Sequence, residues 1–148
     1  MPTAPPVAAP SAAAATATAR YLGQLRTEVT HVASGTVIQT DAPVDNHGRG
    51  EAFSPTDLVC TALATCLVTT MAIVAERHGH DLSTATIAIR KHMSAAPPRR
   101  IAAIDVTLRL PAALDTPARA LLERTAHSCP VSLSLHPDVV QNLVFEYQ

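Results

Sequence analysis

The sequence predicts an α+β domain in which a mainly antiparallel sheet packs on one long buried helix. Three observations carry this. Residues 58–75 form an 18-residue stretch without a single charge between Asp57 and Glu76. Short runs rich in β-branched or alternating residues, bounded by Gly, Pro, Asn and Asp, lie on both sides of it. The resulting order is β-β-α-β-β-α-β, which mixes hairpins with helices instead of alternating strand and helix.

Composition sets the outer bounds. The chain has 148 residues, one domain's worth, and 47% of them are apolar, enough for a core. Net charge is −1, so the basic surplus of a nucleic-acid binder is missing, and 3% aromatic residues with no Trp give no base-stacking platform. Three Cys are too few for a disulfide-built secreted scaffold.

Residues 1–19 carry no side-chain charge and include Pro2, Pro5, Pro6 and Pro10, which forbid a regular helix or central strand. They read as a flexible Ala/Pro-rich tail before a domain at residues 20–148. The start has no basic residue and no strongly apolar run, so no secretory signal is read and a cytoplasmic location is expected. Tyr21–Asp41 reads as two strands, the clearer at Thr36–Thr40, joined at Ser34-Gly35. Asp41–Phe53, with Pro43, Asp45, Asn46, Gly48 and Gly50, is loop.

Ser54-Pro55-Thr56-Asp57 is a helix start: a Ser cap, Pro at the first helical position and an acid in the first turn. The helix should reach about His78, with Gly79 beyond its end. Its uncharged length approaches that of a membrane span, but Thr61, Thr65, Thr69 and Thr70 dilute it and no aromatic belts flank it. A helix apolar on all sides is expected to be buried, and in so short a chain that requires a partner subunit. Thr84–His92 and Ile101–Leu110 alternate as strands around a turn at Pro97-Pro98-Arg99-Arg100. Thr116-Pro117 opens a second helix with Leu121, Leu122 and Ala126 inward. Ser128-Cys129-Pro130 breaks it and starts a short turn to Leu135, and Val139–Tyr147 closes the chain as a strand.

Cys60 and Cys66, six positions apart on one helix, are separated by about 9 Å of rise and about 240° of rotation, too far for a mutual disulfide. Cys60 reads as a small buried hydrophobe. Cys129 reads as the cap of the turn after Pro130, where free N–H groups are expected to lower its pKa. The spacings of a structural zinc site are missing. His127, two residues before Cys129, is a candidate base for acyl transfer, though no third orienting residue is visible.

Asp41-Ala42-Pro43, the glycine-bearing loop, Ser54-Pro55-Thr56-Asp57-Leu58 and Ala62-Leu63-Ala64-Thr65-Cys66 resemble the core of the OsmC/Ohr superfamily. Ser128-Cys129-Pro130-Val131 resembles its second cysteine motif. The resemblance covers residues 20–148. It implies an OsmC-like fold, an intertwined homodimer with a long central helix from each chain between the sheets. It also implies a thiol peroxidase for organic hydroperoxides. The residues themselves give no sign of a metal or organic cofactor, and neither nucleic acid nor membrane is expected as partner. Cys66 would be the peroxidatic thiol and Cys129 the resolving one, their disulfide being reduced by a dithiol, typically a lipoyl group on a partner protein. An arginine from an early strand supplies positive charge to the thiolate. Arg26 is the match, with Arg20 and Arg49 as alternatives.

The resemblance has one departure. In the hydroperoxide-specific branch a Glu follows the Pro of the helix start and orients the arginine, and here that residue is Thr56. Asp57 follows one position later, about 100° further around the helix, and is a candidate for the acidic role or for a first-turn acid facing the dipole. Glu51, in the loop, is a second candidate. The alternative to a peroxidase is a non-catalytic OsmC-like binding or structural dimer.

Overall fold

The computed structural model describes residues 15–148, and residues 1–14 of the expected tail lie outside the described residues. The chain divides into two compact units, one ending at Pro55 and the other running from Thr56 to Gln148.

The first unit is a three-stranded antiparallel sheet, β1 (Ala17–Gly23), β2 (Arg26–His31) and β3 (Val37–Asp41), in sequential order. It has one strand more than the sequence predicts, and β1 begins at Ala17, within the stretch expected as tail. The missed break is a turn in which Gly23, Gln24 and Leu25 all take positive φ, at 86°, 53° and 62°. Gln24 and Leu25 carry no turn signature, because left-handed backbone is ordinarily left to Gly or Asn. Neighbours hold them there: the Leu25 N–H donates to the Tyr21 hydroxyl (3.1 Å), and the Leu25 carbonyl accepts from the Ala42 N–H (3.0 Å). The second hairpin turns at Ser34-Gly35 as predicted, with Gly35 at φ 73° and its N–H donating to the His31 carbonyl.

The second unit contains all but the first residue of α1 (Pro55–Arg77), then β4 (Thr86–Met93), β5 (Ile101–Leu110), α2 (Thr116–Ala126), α3 (Pro130–Ser134) and β6 (Val140–Tyr147). Helix α1 starts directly after Ser54 and stops two residues before Gly79, whose φ of 76° ends it. Its mean hydropathy of 2.2 over 18 residues would suit a membrane span, yet it is a core helix. Cys60, Leu63, Ala64, Leu67, Met71 and Ala75 recur every three or four residues and are buried. They join Ile104, Val106, Leu108 and Leu110 of β5 and Ala118, Leu122 and Ala126 of α2 in one apolar cluster. The burial predicted on all sides is confined, within one chain, to this stripe. Across the helix Val59 and Ile73 are 37% and 47% exposed.

The sheet order is β4-β5-β6. β4 pairs antiparallel with β5, but β5 and β6 are parallel, from Ala103↔Val140 to Leu110↔Tyr147. Alternation reveals faces and not direction, so the sequence left this parallel pairing unseen. A parallel return needs a crossover, and α2 and α3 supply it. Asp115, not Thr116, caps α2 by accepting from the Ala118 N–H (2.9 Å). Both residue types cap helices, and the true boundary lies one residue earlier than predicted. Arg119 stacks 4.1 Å above the Tyr147 ring, and the Tyr147 hydroxyl donates to Glu123 (2.6 Å), docking the end of β6 on α2.

Leu67 lies at the centre of the buried stripe. Leu67→Ala should lower unfolding free energy by about 2–5 kcal/mol, whereas Glu76→Ala at the exposed helix end should change it by less than about 0.5 kcal/mol. Denaturant midpoints at unchanged m-value measure both.

Candidate active site

Two clusters, one in each unit, contain the predicted site residues except Asp57. In the first unit Arg26 opens β2 and Asp41 closes β3, and the two are directly paired across the ladder. Their side chains form a fork: Arg26 Nε to Asp41 Oδ1 at 2.7 Å and Nη2 to Oδ2 at 2.8 Å. Nη2 also donates to Glu51 Oε2 (2.9 Å), and the Glu51 N–H donates to Asp41 Oδ2 (3.1 Å). The Arg26 side chain is 20% exposed and that of Asp41 only 1%.

The hydrogen bonds from the Arg26 guanidinium hold the Asp41 carboxyl below its ordinary pKa, against burial, which acts the other way. Asp41 in turn pushes Arg26 further up, so the guanidinium stays charged. Glu51, weighed from the sequence for the orienting role, stands on the arginine. Asp41 was seen only as part of a motif, because its pairing with Arg26 depends on a strand register that the sequence does not display. Of the alternatives, Arg20 is engaged with Glu28 at 2.8 Å.

The loop that brings Glu51 back is closely folded. The Gly48 N–H donates to the Pro43 carbonyl (2.9 Å) and the Gly50 N–H to the Ala42 carbonyl (3.3 Å). A Cβ on Gly48 would stand 1.6 Å from the Ala42 carbonyl oxygen, so only glycine fits.

In the second unit Cys66 and Cys129 are brought together. Cys129 caps α3, its sulfur accepting from the Ser132 N–H at 3.5 Å, as the sequence predicts. Burial pushes the Cys66 thiol up, but hydrogen bonds from the Cys129 thiol, the Val131 N–H and the Thr70 hydroxyl outweigh it and leave Cys66 below an ordinary thiol. The Thr70 oxygen is 4.0 Å from the sulfur. Cys129 moves the other way, which corrects the expectation of a depressed pKa there. Burial and the role of donor to Cys66 raise it, and the N–H groups of Ser132 and Val131 do not compensate. The acid member of the pair is therefore Cys66.

Asp57 does not join the thiols. It precedes Cys66 by nine residues, roughly 13 Å along the helix axis. Its carboxylate binds Lys91 Nζ at 2.6 Å, and the same ammonium donates to Thr56 Oγ1 at 2.8 Å. Lys91 was missed as a site neighbour, although the β4 alternation placed it among Ile87 and Ile89, an apolar face where a cation calls for a partner. Cys60, also on α1, is buried and its thiol is pushed up by that burial, in keeping with an inert core residue.

Two outcomes test the first cluster. A carboxyl with a lowered folded pKa contributes stability above its unfolded value, near about 4, which is lost as pH falls through the folded value. Thermal melting of the wild type should therefore fall as pH drops below about 4, and Asp41→Asn should melt lower at neutral pH with a flatter acid limb. Gly48→Ala should release the loop, seen as faster amide exchange at Gly50 and Glu51 than in the wild type.

The OsmC-like protein family profile matches residues 48–143. The fold is shared with an osmotic-stress-induced and detoxification-response candidate from Psychrobacter arcticus 273-4, 40% identical over 89% of this chain and 96% of that one, at a TM-score of 0.85. It is also shared with an organic hydroperoxide resistance protein OsmC from Legionella pneumophila, 19% identical over 89% and 97% of the two chains, at 0.70. An organic hydroperoxide resistance protein from Elizabethkingia anophelis is 15% identical over 89% and 94%, at 0.71. No curated protein matches significantly. The profile covers more than half of the chain and agrees with the Psychrobacter likeness, so this protein belongs to the OsmC-like family.

Proposed function

We propose that the protein is a thiol peroxidase for organic hydroperoxides. What carries this reading is that Cys66 of α1 and Cys129 at the cap of α3 lie close enough to influence each other, with the Cys66 thiol lowered and the Cys129 thiol raised. A peroxidase needs that asymmetry. The Cys66 thiolate attacks the terminal oxygen of ROOH, the O–O bond breaks, and RO⁻ leaves and is protonated to the alcohol. Cys66 is then a sulfenic acid. The sulfur of Cys129 attacks it, an S–S bond forms, and the hydroxyl leaves as water with the Cys129 proton. A dithiol returns both sulfurs to thiols by exchange, and a lipoyl-bearing partner supplies that chemistry.

Arg26 is assigned the cationic role by the resemblance. What supports the assignment is that Asp41 and Glu51 hold its guanidinium in one orientation through three hydrogen bonds. The homodimer belongs to the same proposal. Val59, Ala62, Cys66, Thr69, Ile73 and Glu76 follow one another at alternating steps of three and four along the side of α1 opposite the buried stripe. That spacing suits a facing helix from a second copy. A reducing cytosol suits the three free cysteines.

The test is a thiol count with peptide mapping before and after one equivalent of cumene hydroperoxide. Two thiols should be lost as a Cys66–Cys129 disulfide with Cys60 untouched. Cys66→Ser should abolish hydroperoxide consumption, and Cys129→Ser should leave a Cys66 sulfenic acid that dimedone traps. Three surviving thiols would overturn the peroxidase reading in favour of a binding protein.

A further inference from the structure

Gln141 lies on the face of β6 that otherwise carries Leu143, Phe145 and Tyr147, all packed against the core. Its ladder partner is the fully buried Ile104. A polar side chain in such a position gives up water and must recover hydrogen bonds from the protein. Gln141 recovers two from a single residue. Its Oε1 accepts from the Ser132 hydroxyl at 2.6 Å, and its Nε2 donates to the Ser132 carbonyl at 3.1 Å. The two contacts together fix which way round the amide sits.

Ser132 is the third residue of α3, which has only five. So short a helix has no stability of its own, since a first turn costs more than it returns. Yet its first turn serves the thiol pair: the Ser132 N–H donates to the Cys129 sulfur at 3.5 Å, and the Val131 N–H helps lower the Cys66 thiol. Ser132 is thus held at its hydroxyl and carbonyl by Gln141 while its own N–H serves the resolving thiol. The peroxidase reading leaves unexplained what keeps this turn in place, and the amide of Gln141 is an external hold on it.

We propose that Gln141 is a positioning residue for the thiol pair: by gripping Ser132 at two points it fixes where the α3 backbone N–H groups aim at the two sulfurs. The proposal rests on Cys66 being the attacking thiol.

The test uses the full-length reduced protein and iodoacetamide, with labelling of each cysteine followed by peptide mapping across a pH series. Gln141→Leu suits the apolar strand face, so the fold and its melting temperature should be kept. Cys66 labelling at pH 7 should fall about fivefold, the effect of losing one ordinary hydrogen bond, and its pH profile should move to higher pH. Ser132→Ala, which removes one of the two grips, should shift the profile in the same direction by less. The double variant should be no slower than Gln141→Leu alone. A folded Gln141→Leu with the wild-type pH profile would overturn the proposal, as would additive effects of the two substitutions, and a change in melting temperature with an unmoved profile would reduce Gln141 to a tether. Alkylation needs no hydroperoxide, so a protein that fails to turn over peroxide would sink the peroxidase reading and still answer this question.

Discussion

A sulfur anion in an apolar interior is unstable unless donors surround it, and in the second unit donors gather at Cys66. Burial alone would leave Cys66 a sluggish thiol. Three donors reverse the sign: a second thiol, a backbone N–H and a threonine hydroxyl. Each comes from a different structural choice. Thr70 is one helical turn from Cys66 on α1, so its contact is built into the helix period. The Val131 N–H is unspoken for by α3 because it lies in the first turn of that helix. Cys129 is the cap itself. The donor of the shared hydrogen bond is the member left protonated, which is why one sulfur gains acidity at the other's expense.

Helix α1 serves two surfaces at once. Leu63, Leu67 and Met71 anchor it in the core with β5 and α2. The opposite side carries Cys66, half-buried against the core, with Val59 and Ile73 exposed. Placing the thiol at the margin of the core gives it both low-dielectric surroundings and access. In the first unit the same economy appears in charge. The buried Asp41 carboxylate is paired by Arg26 directly across the ladder, and Arg26 is oriented in turn by Asp41 and Glu51.

The parts legible in the sequence were those with local causes. Ser54-Pro55 and Gly79 marked the ends of α1, and Cys129-Pro130 marked the start of α3, because caps and breakers act within a few residues. Long-range pairings were not legible. The register that sets Arg26 against Asp41, the parallel direction of β6 and the reach of Lys91 to Asp57 are fixed by tertiary packing, to which periodicity is blind. The turn at Gln24-Leu25 escaped notice for the opposite reason: its residues contradict local preference and are held by Tyr21 and Ala42. The acidity of Cys129 was misjudged because capping was counted without burial or the neighbouring sulfur. Gln141 was passed over as one polar residue within a strand.

The parallel pairing of β5 with β6 also imposes an order in time. A ribosome delivers the chain from its start, so α1 and β5 emerge well before the last strand. α3 cannot receive its hydrogen bonds from Gln141 until β6 has followed it out. Cys66 therefore emerges well before the strand whose Gln141 side chain bonds the α3 turn.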